Sequence, residues 1–175
     1  MESNKREAVS LIYLIGMPGA GKSYWARELS RTYAMPLMDM DEYLEQQEGN
    51  TIAAIFEQHG EAAFREKERN VLALIATDNP NAIIACGGGT PCYFDNMDLM
   101  LQTGTVIYLH VSIETLIDHL QHEAHLRPML AGKKDVQAFL ADLLKERAPF
   151  YERAHHILNA DKISITNFTQ ILHHV

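Results

Sequence analysis

The chemistry of this chain is most legible in eight consecutive residues, Gly16-Met17-Pro18-Gly19-Ala20-Gly21-Lys22-Ser23, which carry the spacing G-x-x-x-x-G-K-[ST]. Glycines at these places let successive backbone N–H groups turn inward and form a nest for an anion. A helix beginning near Lys22 adds the positive end of its dipole. Lys22 is placed to reach the β- and γ-phosphates of a nucleoside triphosphate, and the Ser23 hydroxyl to ligate Mg²⁺. The loop alone specifies a bound triphosphate, without saying what the triphosphate is used for.

Further along the chain stand other candidates. Asp39-x-Asp41 closes a short apolar stretch, where acids hold Mg²⁺ through water or accept a proton from an attacking hydroxyl. The alternative is that Asp41 caps the next helix, a role compatible with the first. In Phe64-Arg65-Glu66-Lys67-Glu68, Arg65 and Glu68 lie at i,i+3, and taken alone they read as a solvated ion pair. Gly87-Gly88-Gly89 follows an apolar run and exposes backbone to a small oxygen-rich ligand, or merely makes a tight turn. Arg127-Pro128 sits in a long polar stretch of the kind that brings an arginine onto a transferring phosphoryl group. Arg147 is suited to a bidentate grip on a carboxylate, or to covering its own helix end. Phe56, Phe64 and Phe150 read as core.

The elements that must position these residues follow from hydrophobic period. Val9–Ile15, Met35–Asp41, Ile83–Cys86, Thr105–Val111 and Ile157–Ala160 read as strands. Helices are predicted from Tyr24 to Arg31, from Asp41 to a stop at Gly49-Asn50, over Thr51–Ile75 with a break near His59-Gly60, and over Asn96–Leu101. Further helices follow Ser112 as cap, run from Val136 to Arg153 with an interruption at Pro149, and close the chain from Ile165 to His174. Alternating strands and helices imply a parallel sheet with helices on both faces and a ligand beyond the carboxyl ends of the strands. The expected organisation is a single domain over residues 1–175, with a helical region at 51–75 and a polar loop at 121–135.

Composition sets the remaining bounds. A chain of 175 residues buries roughly 70% of its unfolded surface and needs no staples. No apolar run reaches membrane-spanning length. The polar first residues lead straight to a strand, so no signal peptide is expected. Cys86 and Cys92 lack metal-ligand spacing, the histidines are scattered, and a reduced, cytoplasmic setting fits. A net charge of −8 argues against nucleic acid as partner. No large apolar stripe is evident, so a monomer is expected.

Taken in order, Gly16–Ser23, Met38-Asp39-Met40-Asp41, Ile55-Phe56, Gly60-Glu61, Phe64-Arg65-x-x-Glu68, Gly87–Gly89, Arg127-Pro128-Met129-Leu130 and Arg147-Ala148-Pro149-Phe150-Tyr151 resemble the shikimate kinase family over nearly the whole chain. The resemblance implies a three-layer α/β P-loop kinase fold with a five-stranded parallel sheet, a helical substrate-binding insertion at 51–75 and a mobile lid at 121–135. It implies phosphorylation of the 3-hydroxyl of shikimate by ATP and Mg²⁺ on the route to chorismate and the aromatic amino acids. On matching positions, Asp41, Arg65, Gly88 and Arg147 would bind shikimate, with Gly87 and Gly89 shaping the pocket and Glu68 behind it. Asp41 would serve as base or orienter of the attacking oxygen. Gly19, Ala20, Gly21, Lys22, Ser23, Tyr24 and Arg127 would hold ATP, Lys22 and Arg127 acting in catalysis. Ser23 and Asp39 would hold the metal.

Three places depart from the family pattern, one of them near the last strand, where Lys162 and Ser164 stand in a region that in some members carries a nucleotide-side arginine. Tyr24 replaces a small threonine, with its backbone N–H still available to phosphate. Leu120 stands where some members place an arginine against adenine, with His122 or His125 as substitutes. The competing readings are another small metabolite kinase, such as a gluconate kinase, and an inactive nucleotide-binding regulatory module. The first would not need two arginines on one carboxylate. The second would need a broken set, whereas Lys22, Asp41, Arg65 and Arg147 are all present.

Overall fold

The computed structural model describes residues 10–79, 81–123 and 132–172. Five parallel strands form one sheet: β1 (Ser10–Ile15), β2 (Leu37–Asp39), β3 (Asn81–Ala85), β4 (Gly104–His110) and β5 (His156–Asn159). Their order across the sheet is β2-β3-β1-β4-β5. The register pairs Ile12 with Ile83 on one side and with Thr105 on the other. Residues 11–15 of β1 are all buried although successive side chains point to opposite faces, so both faces of the sheet are covered. The outermost strand β5 alternates between half-buried and exposed positions, as an edge strand does.

The helices are α1 (Lys22–Tyr33), α2 (Met40–Glu48), α3 (Ile52–Asp78), α4 (Asn96–Thr103), α5 (Ile113–Glu123), α6 (Val136–Tyr151) and α7 (Ile165–Leu172). Because the chain crosses from β1 over β3 to β2 and later returns to β4 on the other side of β1, the connections part beside the central strand. The crevice at that switch point is where an open α/β sheet binds ligands. The loop after β1, the acids after β2 and the glycines after β3 all open there.

Several boundaries differ from the sequence expectation, each for a local reason. β2 ends at Asp39, and α2 begins at Met40 rather than at Asp41. The Asp39 carboxylate accepts from the N–H groups of Asp41 (3.1 Å) and Glu42 (3.4 Å), so Asp39, not Asp41, is the helix cap. Within α3 the break falls at Gly60, whose φ of 76° and ψ of 173° leave the helical region and are open to glycine almost alone. Pro149 does not interrupt α6. It cannot donate to the Lys145 carbonyl, but its ring fits the helical φ, and α6 closes at Tyr151 two residues on. α5 runs on to Glu123, into the stretch read as loop, and Ser112 does cap it, accepting from Thr115 N–H at 3.3 Å.

Candidate functional site

The phosphate loop leaves β1 at Gly16 and enters α1 at Lys22. Gly19 and Gly21 hold φ of 82° and 83°, a left-handed conformation that side chains resist. Gly21 caps α1 without any side-chain bond, so the first N–H groups of the helix open onto the cleft. Lys22 Nζ donates to the carbonyls of Gly16 (3.0 Å) and Met17 (2.9 Å), spanning the mouth of the loop. Ser23 Oγ donates to Asp39 Oδ2 at 2.6 Å. Ala20 is buried under the loop, while the Tyr24 ring is 60% exposed and rests edge-on against Trp25. These residues line one wall of a cleft of about 470 Å³ whose other wall holds Asp39, Asp41, Gly87 and Gly88.

The second wall is built around the glycine run after β3. None of Gly87, Gly88 and Gly89 has a positive φ, so conformational freedom is not what these positions require. They require space. A Cβ on Gly87 would lie 2.6 Å from Glu68 Oε1 and 3.2 Å from Asp41 Oδ1. One on Gly88 would lie 2.8 Å from Pro18 Cδ and 3.2 Å from an Arg147 guanidinium nitrogen, and one on Gly89 would lie 2.6 Å from both terminal nitrogens of Arg65. Three successive backbone positions therefore touch Asp41, Arg147 and Arg65 in turn, which brings together side chains far apart in sequence.

Arg65 and Arg147 are both 7% exposed, and isolated buried cations are costly. Arg65 donates to Glu68 Oε2 (2.8 Å) and Glu61 Oε1 (3.2 Å), with its carbon Cζ 4.2 Å from the Tyr93 ring centre and 5.0 Å from that of Phe64. The pair read as a solvated i,i+3 contact thus exists, but in the interior. Burial works against the Arg65 charge, but Glu68, Tyr93 and Glu61 together outweigh it, and the guanidinium pKa is raised. Even so, Arg65 Nε and one terminal nitrogen of Arg147 are buried with no hydrogen-bond partner among the described residues. Buried donors of this kind are the mark of a site that takes an anion.

The supporting contacts were the part least visible in the sequence. Glu68, 2% exposed, also takes the Thr90 hydroxyl, and Asn96 Nδ2 donates to the Thr90 carbonyl at 2.9 Å. Tyr151 donates to the Gly88 carbonyl at 2.6 Å; it stands one turn after Arg147, a spacing that puts both on one helix face. The Tyr93 hydroxyl donates to Glu61 Oε1 at 2.9 Å. That bond, and then Arg65, hold the Glu61 carboxyl below its ordinary value. On the other flank Leu120 is buried against Gly19, whose added Cβ would meet it at 2.9 Å, so Leu120 supports the loop from beneath. His119 lines the cleft instead, its Nδ1 2.8 Å from the Gly19 carbonyl. His122 bonds back to Asp118 in its own helix. Arg127, His125 and most of the expected lid lie outside the described residues.

A nucleotide-phosphate loop facing a small cationic pocket across the switch point of a parallel sheet defines a P-loop kinase of small molecules. Comparison with known proteins narrows the class. A family model described as shikimate kinase matches residues 18–175. A shikimate kinase from Parabacteroides distasonis is 40% identical over 154 residues, covering 87% of this chain and 88% of that relative. The crystal structure of shikimate kinase from Bacteroides thetaiotaomicron superposes with a TM-score of 0.88 at 35% identity, covering 94% of this chain and 98% of the other. A shikimate kinase from Acinetobacter baumannii, solved in complex with shikimate, gives 0.85 at 31% identity, with 95% and 92% covered. The chain belongs to the shikimate kinase family.

Proposed function

We propose that this protein transfers the γ-phosphoryl group of ATP to the 3-hydroxyl of shikimate, giving shikimate 3-phosphate and ADP. The observation that carries the reading is the pair of buried guanidinium groups, each with a nitrogen that has no hydrogen-bond partner among the described residues, set beside the phosphate loop. A substrate with one carboxylate and several hydroxyls suits two arginines, one acid and a close-approach glycine backbone. Arg65 and Arg147 grip the carboxylate, and Gly87, Gly88 and Gly89 let the ring settle against them. Asp41, in the first turn of α2 and close to Gly87, takes the hydroxyls and orients or deprotonates the attacking oxygen. The loop N–H groups from Gly19 to Tyr24 cradle the phosphates, Lys22 reaches the transferring group, and Arg127 joins from the 121–135 segment.

Mg²⁺ suits the hard oxygens of Ser23 and Asp39, which lie 2.6 Å apart. When bound there it neutralises charge on the triphosphate. Among the described residues no cluster of three or more His, Cys, Asp or Glu forms a cage for a metal, which accords with a cation held largely by phosphate and water. No helix among the described residues is long and apolar enough to cross a membrane. A single-domain monomer acting in the cytoplasm, on the route to chorismate and aromatic amino acids, completes the proposal.

Phosphoryl transfer of this kind is mainly positioning and charge neutralisation. The deciding experiment is a coupled assay of ADP release with ATP and Mg²⁺, comparing shikimate with gluconate. Shikimate-dependent release is expected; turnover on gluconate that equals or exceeds it overturns the assignment.

A further inference from the structure

Arg65 carries two carboxylates of very different character. Glu68 is 3% exposed at its side chain, holds the Thr90 hydroxyl as well, and is part of the interior. Glu61 is 57% exposed at its side chain and pairs with Arg65 from the solvent side. It directly follows Gly60, where α3 bends, and that bend starts the second helical half one turn before Arg65. Its Oε1 accepts both from Arg65 (3.2 Å) and from the Tyr93 hydroxyl (2.9 Å). Tyr93 lies with its ring 4.2 Å from the Arg65 guanidinium carbon, so the same residue both covers the cation and tethers the anion beside it. Arg147 adds to the positive field at Glu61. A carboxylate in the field of both arginines, attached to the protein but open to water, has the chemical character of the group the pocket is meant to receive.

We propose that Glu61, tethered by Tyr93, is an internal counter-carboxylate that competes with the acceptor's carboxylate for Arg65 and so sets a threshold for acceptor binding. An incoming acid must displace Glu61 from one edge of the guanidinium. A ligand bearing a carboxylate alone recovers only that contact. A ligand that also places hydroxyls on Asp41 and the glycine backbone recovers more, and it alone binds well. Glu61 thus weakens every carboxylate by the same factor, so that a simple carboxylate, with no further contact to recover, is left too weakly held to occupy the site. The inference rests on the acceptor-site reading given above.

The test uses the full chain with Glu61→Gln, which keeps an acceptor for Tyr93 and Arg65 but removes the charge, and with Tyr93→Phe, which keeps the ring over Arg65 but cuts the tether. Shikimate and benzoate, the latter a carboxylate without hydroxyls, are titrated by calorimetry, and shikimate kinetics are followed alongside. The expected result for Glu61→Gln is a two- to five-fold (~) fall in Kd for both acids, the scale of one partly exposed ion pair. Tyr93→Phe shifts both in the same direction by less. The gain appears in KM for shikimate more than in kcat, and shrinks with added salt. A Kd for benzoate and shikimate that is unchanged or raised in Glu61→Gln overturns the proposal, since Glu61 would then serve only to orient Arg65. If the unmodified chain turns over no shikimate, the proposed reaction fails and the benzoate titration alone judges Glu61.

Discussion

Substituting Gly89 by alanine isolates the geometry of the acceptor pocket better than deleting any of its charges. Gly89 has φ of −87° and ψ of −16°, which alanine adopts without strain, so the backbone should stay where it is. The new methyl would stand 2.6 Å from both terminal nitrogens of Arg65 and 2.7 Å from its central carbon. Contact at ordinary van der Waals range requires the guanidinium to retreat by roughly 1 Å. Arg65 has little room to do so, being held by Glu68 at 2.8 Å and by the Phe64 and Tyr93 rings. Overpacking of this kind costs about 1–3 kcal/mol. Borne wholly by ligand binding, it predicts a loss of about five- to 150-fold in shikimate affinity, and less by whatever share the fold takes. It also predicts a fall in Tm of about 2–4 °C for each kcal/mol borne by the fold. ATP affinity should change little, because the atoms nearest the new methyl belong to Arg65 and not to the phosphate loop. Calorimetry with each substrate reads the split. Shikimate affinity within two-fold of the parent chain would refute the placement of Arg65 against this glycine.

Other consequences can be checked with simpler measurements. Trp25 is the sole tryptophan, lines the cleft, and lies 3.6 Å from where a Cβ on Gly21 would sit, so its fluorescence should change on nucleotide binding and not on shikimate alone; an emission spectrum indifferent to ATP would contradict that wall of the cleft. Tyr151→Phe removes the donor to the Gly88 carbonyl and should cost about 1–3 kcal/mol, seen as a lower Tm and weaker shikimate binding; an unchanged melt would mean that the carbonyl finds water instead. Burial pushes the Cys92 thiol up to about 11 and the Tyr13 and Tyr108 hydroxyls up to about 12, and raises Cys86 and Tyr151 as well. These groups keep their protons longer in the folded chain, so their contribution is intact below the ordinary thiol value and is lost as pH rises through the folded values. Thermal melts should therefore hold level near pH 7.5 and decline by pH 10, and a flat profile would count against that burial.

The sequence made the donor half of the site nearly complete, because a phosphate loop is local: glycines, lysine and serine act within one turn of each other. Its acceptor half was legible only as an ordered set, since Asp41, Arg65, Gly88 and Arg147 come from four separate segments and meet only through the sheet. The reasons behind some positions could not be read at all. Gly87–Gly89 read as backbone open to close approach by a ligand, or as a tight turn, whereas the protein's own side chains are what each glycine must clear. Asp41 was the cap the sequence offered, and only the backbone shows that the Asp39 carboxylate meets the α2 N–H groups. Tyr93 and Thr90 carried no periodic or motif signal, because their partners, Glu61 and Glu68, lie on another element. Leu120 was read by its alignment with an arginine, but one helical step decides its role: it faces the loop from below, while its neighbour His119 faces the cleft.

Asp39 is a clamp between two helix starts. One oxygen holds the first turn of α1 through Ser23, the other the first turn of α2 through the N–H groups of Asp41 and Glu42. The donor loop and the acceptor acid are thereby fixed in register by a single side chain, with no spare residue between Asp39 and Asp41 to absorb slack. Lengthening the α2–α3 connection at Gly49–Thr51 should be tolerated in this protein, whereas one residue inserted between Asp39 and Asp41 would leave both halves folded and put them out of step.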